Sequence, residues 1–220
     1  MSIDQWKYII DEAVRCKIFQ IAIGGGEPLS HPQIKEFLEY ATLKINVCTT
    51  TNGNHILDAN ILKLFRQINV SYHCSHEKLE NFLELLKNNN ILRGINFVVK
   101  KSDMHELRYV ESVAKKYDAD LLLLSYKPVI GDWDEVIPVE TIKTIANNMV
   151  ADGITVSVDS IVCGKCYMAT KFVTIDVDGN VHPCSFVKNY TFGNILKESF
   201  EEIWKRRETV KLERCPYEKT

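Results

Sequence analysis

The sequence predicts an α/β fold of about five parallel strands, followed by a small α+β, cysteine-rich C-terminal domain. Three observations carry this reading. Apolar, strand-like runs alternate with helix-periodic segments as far as Tyr126, the rhythm changes after Asp132, and four of the seven cysteines lie between residues 163 and 215. Strands alternating with helices of about ten or more residues call for parallel pairing through right-handed crossovers. The pattern is compatible with an open doubly wound sheet and with a barrel or part-barrel. Either architecture places the working face at the carboxyl ends of the strands.

Ser2 can cap a helix running to Arg15, with Asp4 in its first turn and Trp6, Ile9, Ile10 and Val14 on one face. Ile18 to Ile23 reads as a buried strand stopped by Gly24-Gly25-Gly26. Pro32 suits the first turn of a second helix carrying Ile34, Phe37, Leu38 and Ala41. Ile45 to Thr50 is the next strand, and Ile61, Leu62, Leu64 and Phe65 mark a helix. Ile68 to Cys74 follows as a strand, then a helix with Leu79, Phe82, Leu83 and Leu86 that dissolves in Asn88-Asn89-Asn90. Ile95 to Val99, a helix from Glu106 to Tyr117, and Leu121 to Tyr126 close the series. Beyond it come a helix from Val139 to Met149 and a short strand, Ile154 to Val158. A hairpin at Asp178-Gly179 and a last helix from Glu198 to Arg207 complete the appendage.

Composition excludes several classes. The chain of 220 residues is 45% apolar and 25% charged, which rules out disordered, collagen-like and coiled-coil chains. Its longest apolar runs fall well short of the ~20 residues that span a bilayer, and no export signal opens the chain, so a cytoplasmic location is expected. A net charge of −2 offers no broad field for nucleic acid or membrane. Seven cysteines, an odd number, argue against a disulfide framework.

Cys163 and Cys166 are spaced C-x-x-C, which brings two thiolates to one metal from a tight turn; Cys184 ends the hairpin and Cys215 follows the last helix. A pair and two singles can converge as a sulfur site for zinc or an iron–sulfur cluster. The competing reading is four unrelated buried thiols, but all four stand beside glycine, proline or polar loop residues. Cys16 and Cys48 belong to no motif and read as structural. Cys74 stands among His73, Ser75 and His76 without an orienting third group. Gly24-Gly25-Gly26-Glu27-Pro28 brings bare backbone and a carboxylate to a strand end, where a ligand ammonium would fit. Neither a dinucleotide fingerprint nor a P-loop occurs.

Together these residues resemble the radical S-adenosylmethionine (radical SAM) superfamily. Ile21 to Pro32 is similar to the family's GGEPL strand end and following helix, and Thr50-Thr-Asn-Gly53 to its TNG. The tail resembles a SPASM or twitch appendage in Cys166, in Phe172 to Cys184, in Phe192-Gly-Asn-Ile195 and in Ile203-Trp204. The resemblance covers essentially the whole chain, with its motifs in family order. It implies a partial (β/α) barrel over residues 1–152 and a SPASM/twitch-like metal-binding domain over residues 153–220. It also implies that Gly24, Gly25, Gly26 and Glu27 meet the methionyl amino group of S-adenosylmethionine, and that the loop at Ser75 lies toward the ribose. Cys163, Cys166, Cys184 and Cys215 would ligate an auxiliary [4Fe-4S] cluster, with zinc as the alternative occupant.

Such relatives abstract hydrogen through a 5′-deoxyadenosyl radical, and SPASM members often act on ribosomally made peptides or proteins, which sets the expected partner. One departure stands out. The family's C-x-x-x-C-x-x-C loop, three ligands of the cluster that reduces S-adenosylmethionine, is absent from these 220 residues. The expectation is part of a larger enzyme, or a remnant, unable by itself to cleave S-adenosylmethionine. The alternative is a non-catalytic peptide- or partner-binding module with a structural metal. A strand edge left open beside Ile18 to Ile23 predicts self-association.

Overall fold

In the computed structural model, which describes residues 1–73, 75–128, 131–164 and 166–207, chain order and sheet order coincide. The strands are β1 (Gln20–Ile23), β2 (Asn46–Thr51), β3 (Gln67–Ser71), β4 (Leu92–Val99), β5 (Asp120–Ser125) and β6 (Val156–Val158), each parallel to the next. Between them run α1 (Ile3–Arg15, ahead of β1), α2 (Ile34–Ala41), α3 (Ala59–Leu62), α4 (His76–Asn88), α5 (Leu107–Tyr117) and α6 (Val139–Ala151). Parallel neighbours in strict sequence order call for right-handed crossovers with the helices on one face, the arrangement of part of a (β/α) barrel. The sheet has six strands where the sequence suggested about five. Val156–Val158, expected in the appendage, instead pairs with Leu121–Leu123.

Alternation along the strands separates the two faces. Val47, Ile68, Val70, Ile95, Phe97, Leu121 and Leu123 are buried in one core with Leu38, Leu62, Leu79, Leu83, Val110 and Ile142 of the helices. Burying each such side chain contributes about 1.5–3 kcal/mol of transfer free energy. The intervening positions Cys48, Thr50, Gln67, Asn69 and Asn96 are only half-buried and mostly polar. One face is therefore a core and the other an open, hydrogen-bonding surface.

Four helices stop by the same device, a left-handed residue whose amide, with the next one, closes on the last turn. Lys17, Asn90, Asp118 and Gly153 have φ of 59°, 56°, 52° and 85°, and the apolar residues that follow (Ile18, Ile91, Ala119, Ile154) donate to Ala13, Leu86, Ala114 and Met149. This explains why β1 begins at Gln20: Ile18 is spent closing α1. No described strand covers the outer edge of β1, and Phe19, just before it, is 79% exposed.

The tail folds as a three-stranded antiparallel sheet, β7 (Thr174–Ile175), β8 (Asn180–His182) and β9 (Gly193–Asn194), followed by α7 (Phe200–Arg206). The expected two-residue turn at Asp178-Gly179 is a three-residue loop. Asp176 and Asn180 still pair through the Asp176 amide, and Gly179 sits at φ 85°, the geometry of a type I turn closed by a left-handed residue. The Asp176 carboxylate stabilises this longer loop by accepting from the Asp178 and Asn180 amides. The tail's own core of Val181, Phe192, Ile195, Phe200 and Ile203 packs on Ile9, Cys16 and Ile18. There the Glu12 carboxylate accepts the Phe200 amide at the start of α7, so the tail is docked on α1. No helix among the described residues is long and apolar enough to cross a membrane.

Candidate functional site: a clasped strand-end loop and the cysteine loops

The two motifs at the carboxyl ends of β1 and β2 are joined by one side chain. Glu27 Oε1 accepts from the Thr51 hydroxyl at 2.7 Å and from the Leu29 amide at 3.1 Å, and Oε2 accepts from the Asn52 amide at 2.7 Å. The Thr51 oxygen in turn accepts the Gly53 amide at 3.1 Å. This chain of bonds holds the turn whose Gly53 has φ 74°. Glu27 is thus a clasp between neighbouring strand ends, and most of its accepting capacity is used within the chain. The glycines beside it are the open part. A Cβ on Gly24, Gly25 or Gly26 would meet no atom within 4 Å, and Gly25 and Gly26 have φ of 83° and 53°. Their bare backbone can meet a polar ligand head group closely.

On the open face below, amides form a row across four strands. Asn69 donates to Asn96 (2.7 Å), Asn96 to Thr50 (3.3 Å), and Gln67 to Asn69 (3.0 Å) and Asp120 (3.5 Å). Gly94 makes the row possible, because a Cβ there would lie 2.6 Å from Asn69 Oδ1. Sequence reasoning missed this row. Its signal was present as polar residues at every second position of β2 and β3 in what otherwise reads as a buried parallel sheet.

Ser75 caps α4 by accepting the Lys78 amide at 3.3 Å. Cys74 lies outside the described residues. His76, the first residue of α4, stacks on Tyr109 and bonds Tyr72 and Glu106 at 2.8 and 3.0 Å. His31 accepts the Gln33 amide and stacks on Trp6, a structural position. A cleft of about 320 Å³ lined by Thr42, Asn46, Arg66 and Leu92 opens at the amino ends of β2 to β4, away from the strand-end loops.

Of the four tail cysteines, Cys163 is exposed, Cys166 and Cys184 are half-buried, and none of these three is in a disulfide. Cys215 lies outside the described residues. Among the described residues no three His, Cys, Asp or Glu side chains are gathered at metal-binding spacing. The donors are nevertheless of the right kind, soft thiols on loops with a left-handed glycine (Gly164, φ 67°) inside the C-x-x-C. The donor set therefore fits an iron–sulfur cluster or zinc. Cys16 and Cys48 differ, because burial pushes both thiols up and keeps them protonated.

A charged pair connects the two regions. Lys127, just past β5, meets Asp159 Oδ2 at 2.7 Å, and the Ser125 hydroxyl donates to the same oxygen at 2.7 Å. Burial pushes the Asp159 carboxyl up, but the bonds from Lys127 and Ser125 outweigh it and hold the group below the usual carboxylate range. Nothing in the sequence singles out this pair.

Residues 166–219 match the family model of the SPASM iron–sulfur cluster-binding domain. The chain is 26% identical, over 98% of its length, to the mycofactocin maturase MftC of Mycolicibacterium smegmatis. It is 23% identical, over 99%, to an AdoMet-dependent heme synthase of Methanosarcina barkeri. It spans 65% of the former and 77% of the latter. Its fold is similar to that of Streptococcus suis SuiB bound to S-adenosylmethionine, with a TM-score of 0.77 at 14% identity, covering 93% of this chain and 58% of SuiB. Against SuiB bound to its precursor peptide SuiA the TM-score is 0.78.

Proposed function

Because this chain is a radical SAM superfamily protein with a C-terminal SPASM domain, we propose that it is the cofactor-binding and auxiliary-cluster portion of an enzyme that modifies a ribosomally made peptide or protein. The observation that carries the reading is the Glu27 clasp, which presents the Gly24–Gly26 backbone at the strand ends of a molecule whose tail holds the cysteines. Relatives named as a maturase and as a complex with a precursor peptide support the substrate class.

In this reading Gly25 and Gly26 offer backbone to the methionyl group of S-adenosylmethionine, while Glu27 fixes their position. The amide row from Gln67 to Thr50 keeps the open face polar and orients what lies over it. Cys163, Cys166, Cys184 and Cys215 hold an auxiliary cluster for electron transfer or substrate placement. The chemistry supplied there, when S-adenosylmethionine is bound beside a reducing cluster, is hydrogen-atom abstraction. No C-x-x-x-C-x-x-C occurs in these residues, so cleavage requires that motif from elsewhere, and the edge of β1 that no described strand covers is the place for a strand that carries it. A second copy of the chain at that edge is the competing occupant.

Calorimetric titration with S-adenosylmethionine tests the reading. Weak or absent binding is expected for this chain, with binding restored when a C-x-x-x-C-x-x-C segment is joined ahead of β1 and its cluster is reconstituted. If the joined form also fails to bind, the strand-end site is refuted. A non-catalytic module with structural zinc, the second reading raised by the missing motif, would instead bind peptide without S-adenosylmethionine.

A further inference from the structure

We propose that Asp159 is the positioning residue of the cysteine loops, and that Lys127 and Ser125 fix it to the carboxyl end of β5. Its two carboxylate oxygens face different parts of the molecule. Oδ2 is held by the Lys127 ammonium (2.7 Å), the Ser125 hydroxyl (2.7 Å) and the Ser125 amide (3.2 Å). Oδ1 accepts the Val162 amide at 3.1 Å, and the Asp159 carbonyl accepts the Cys163 amide at 3.1 Å. The residue therefore sets the direction in which the chain enters Cys163-Gly-Lys-Cys166. Lys127 reaches the other cysteine loop as well. Its ammonium lies 5.1 Å from the centre of the Phe186 ring, inside the turn where Cys184 pairs with Val187.

One ion pair thus touches both described cysteine loops and the end of β5. Both partners are buried to a degree unusual for surface charges, with side chains 13% and 11% exposed. A charge pair withdrawn from water is a poor source of net stability but a good fixer of geometry when every polar atom is matched. Here Oδ2 is matched by groups at the end of β5 and Oδ1 by the Val162 amide, so the geometry fixed is that of the chain as it enters the loop. Groups behind metal ligands act in this way, by holding the ligands in the orientation the metal needs.

The inference rests on the reading of the tail cysteines as ligands, and the experiment separates the two. The chain, purified anaerobically and stripped of metal, is titrated with zinc against a chromophoric chelator. Asp159→Ala is expected to weaken zinc binding about tenfold to a hundredfold, the usual effect of removing a group behind the ligands. Asp159→Asn keeps an oxygen for the Val162 amide and is expected to recover most of that loss. Lys127→Met should weaken binding in the same direction, and it decides the matter if Asp159→Ala does not fold. Cys166→Ala is the control on the ligands. If it binds zinc as tightly as the parent chain, the ligand reading fails and takes the inference with it. If it loses zinc while Asp159→Ala or Lys127→Met binds as the parent does, the ligands stand and the positioning role is overturned.

Discussion

The strand-end loop and the cysteine loops are both proposed to serve cofactor chemistry, yet they are built in opposite ways. The strand-end loop is complete within the chain. One carboxylate satisfies two amides and a hydroxyl, and Thr51 satisfies a third amide. The described cysteine loops have little regular structure and are tied to the sheet through Asp159 and Lys127. Their thiols are exposed or half-buried and unpaired with one another. The difference teaches where a ligand contributes folding energy. The first loop is ready before its ligand arrives, whereas metal binding to the second would also be local folding.

Removing a ligand should produce the largest effect. Cys166→Ala is expected to abolish iron and sulfide in the tail after anaerobic reconstitution, and retention of a full complement would collapse the contrast. Metal removal comes next. Hydrogen exchange at residues 163–187 should accelerate on chelation, while residues 24–53 stay unchanged. Equal acceleration in both would show that the strand-end loop is not preformed.

Glu27→Ala tests the clasp itself. It leaves the Asn52 and Leu29 amides and the Thr51 hydroxyl without their acceptor, at about 1–3 kcal/mol for each group that stays buried. A fall of several degrees in melting midpoint follows, measurable by calorimetry without metal; no fall would mean the clasp is decorative. Gly94→Ala should cost roughly 1–3 kcal/mol by forcing the Asn69 amide out of the row, read in the same way.

The smallest effect concerns pH. The Asp176 carboxyl is affected first by burial, which raises it. Bonds from His182, Asn180 and two amides prevail and lower it to about 2. Its folded value lies below its unfolded value near 3.8, so its contribution is present above pH 3.8 and fades as pH falls toward 2. Acid titration of Asp176→Ala should show a shallower stability loss in that window than the parent chain.

How much of this was legible depends on what the sequence writes locally. The parallel sheet was visible because apolar runs such as Leu121 to Leu124 alternate with periodic helices. β6 was placed wrongly because three residues, Val156–Val158, carry no period, and β9 escaped because a two-residue strand containing glycine has no signature. The GGGEP and TNG segments were each visible as motifs, but Glu27 and Thr51 are 24 residues apart, and only the β1–β2 register brings them together. Lys127 and Asp159, 32 residues apart, carry no local signature at all. The C-x-x-C was readable, whereas the anchor that aims it was not.

The central claim, a radical SAM fold whose tail holds an auxiliary cluster, is tested most directly by metal analysis. After anaerobic reconstitution with iron and sulfide, the chain should carry about four irons and about four sulfides, the content of one [4Fe-4S] cluster. A chain that takes up neither, or retains a single zinc and refuses iron, would contradict it.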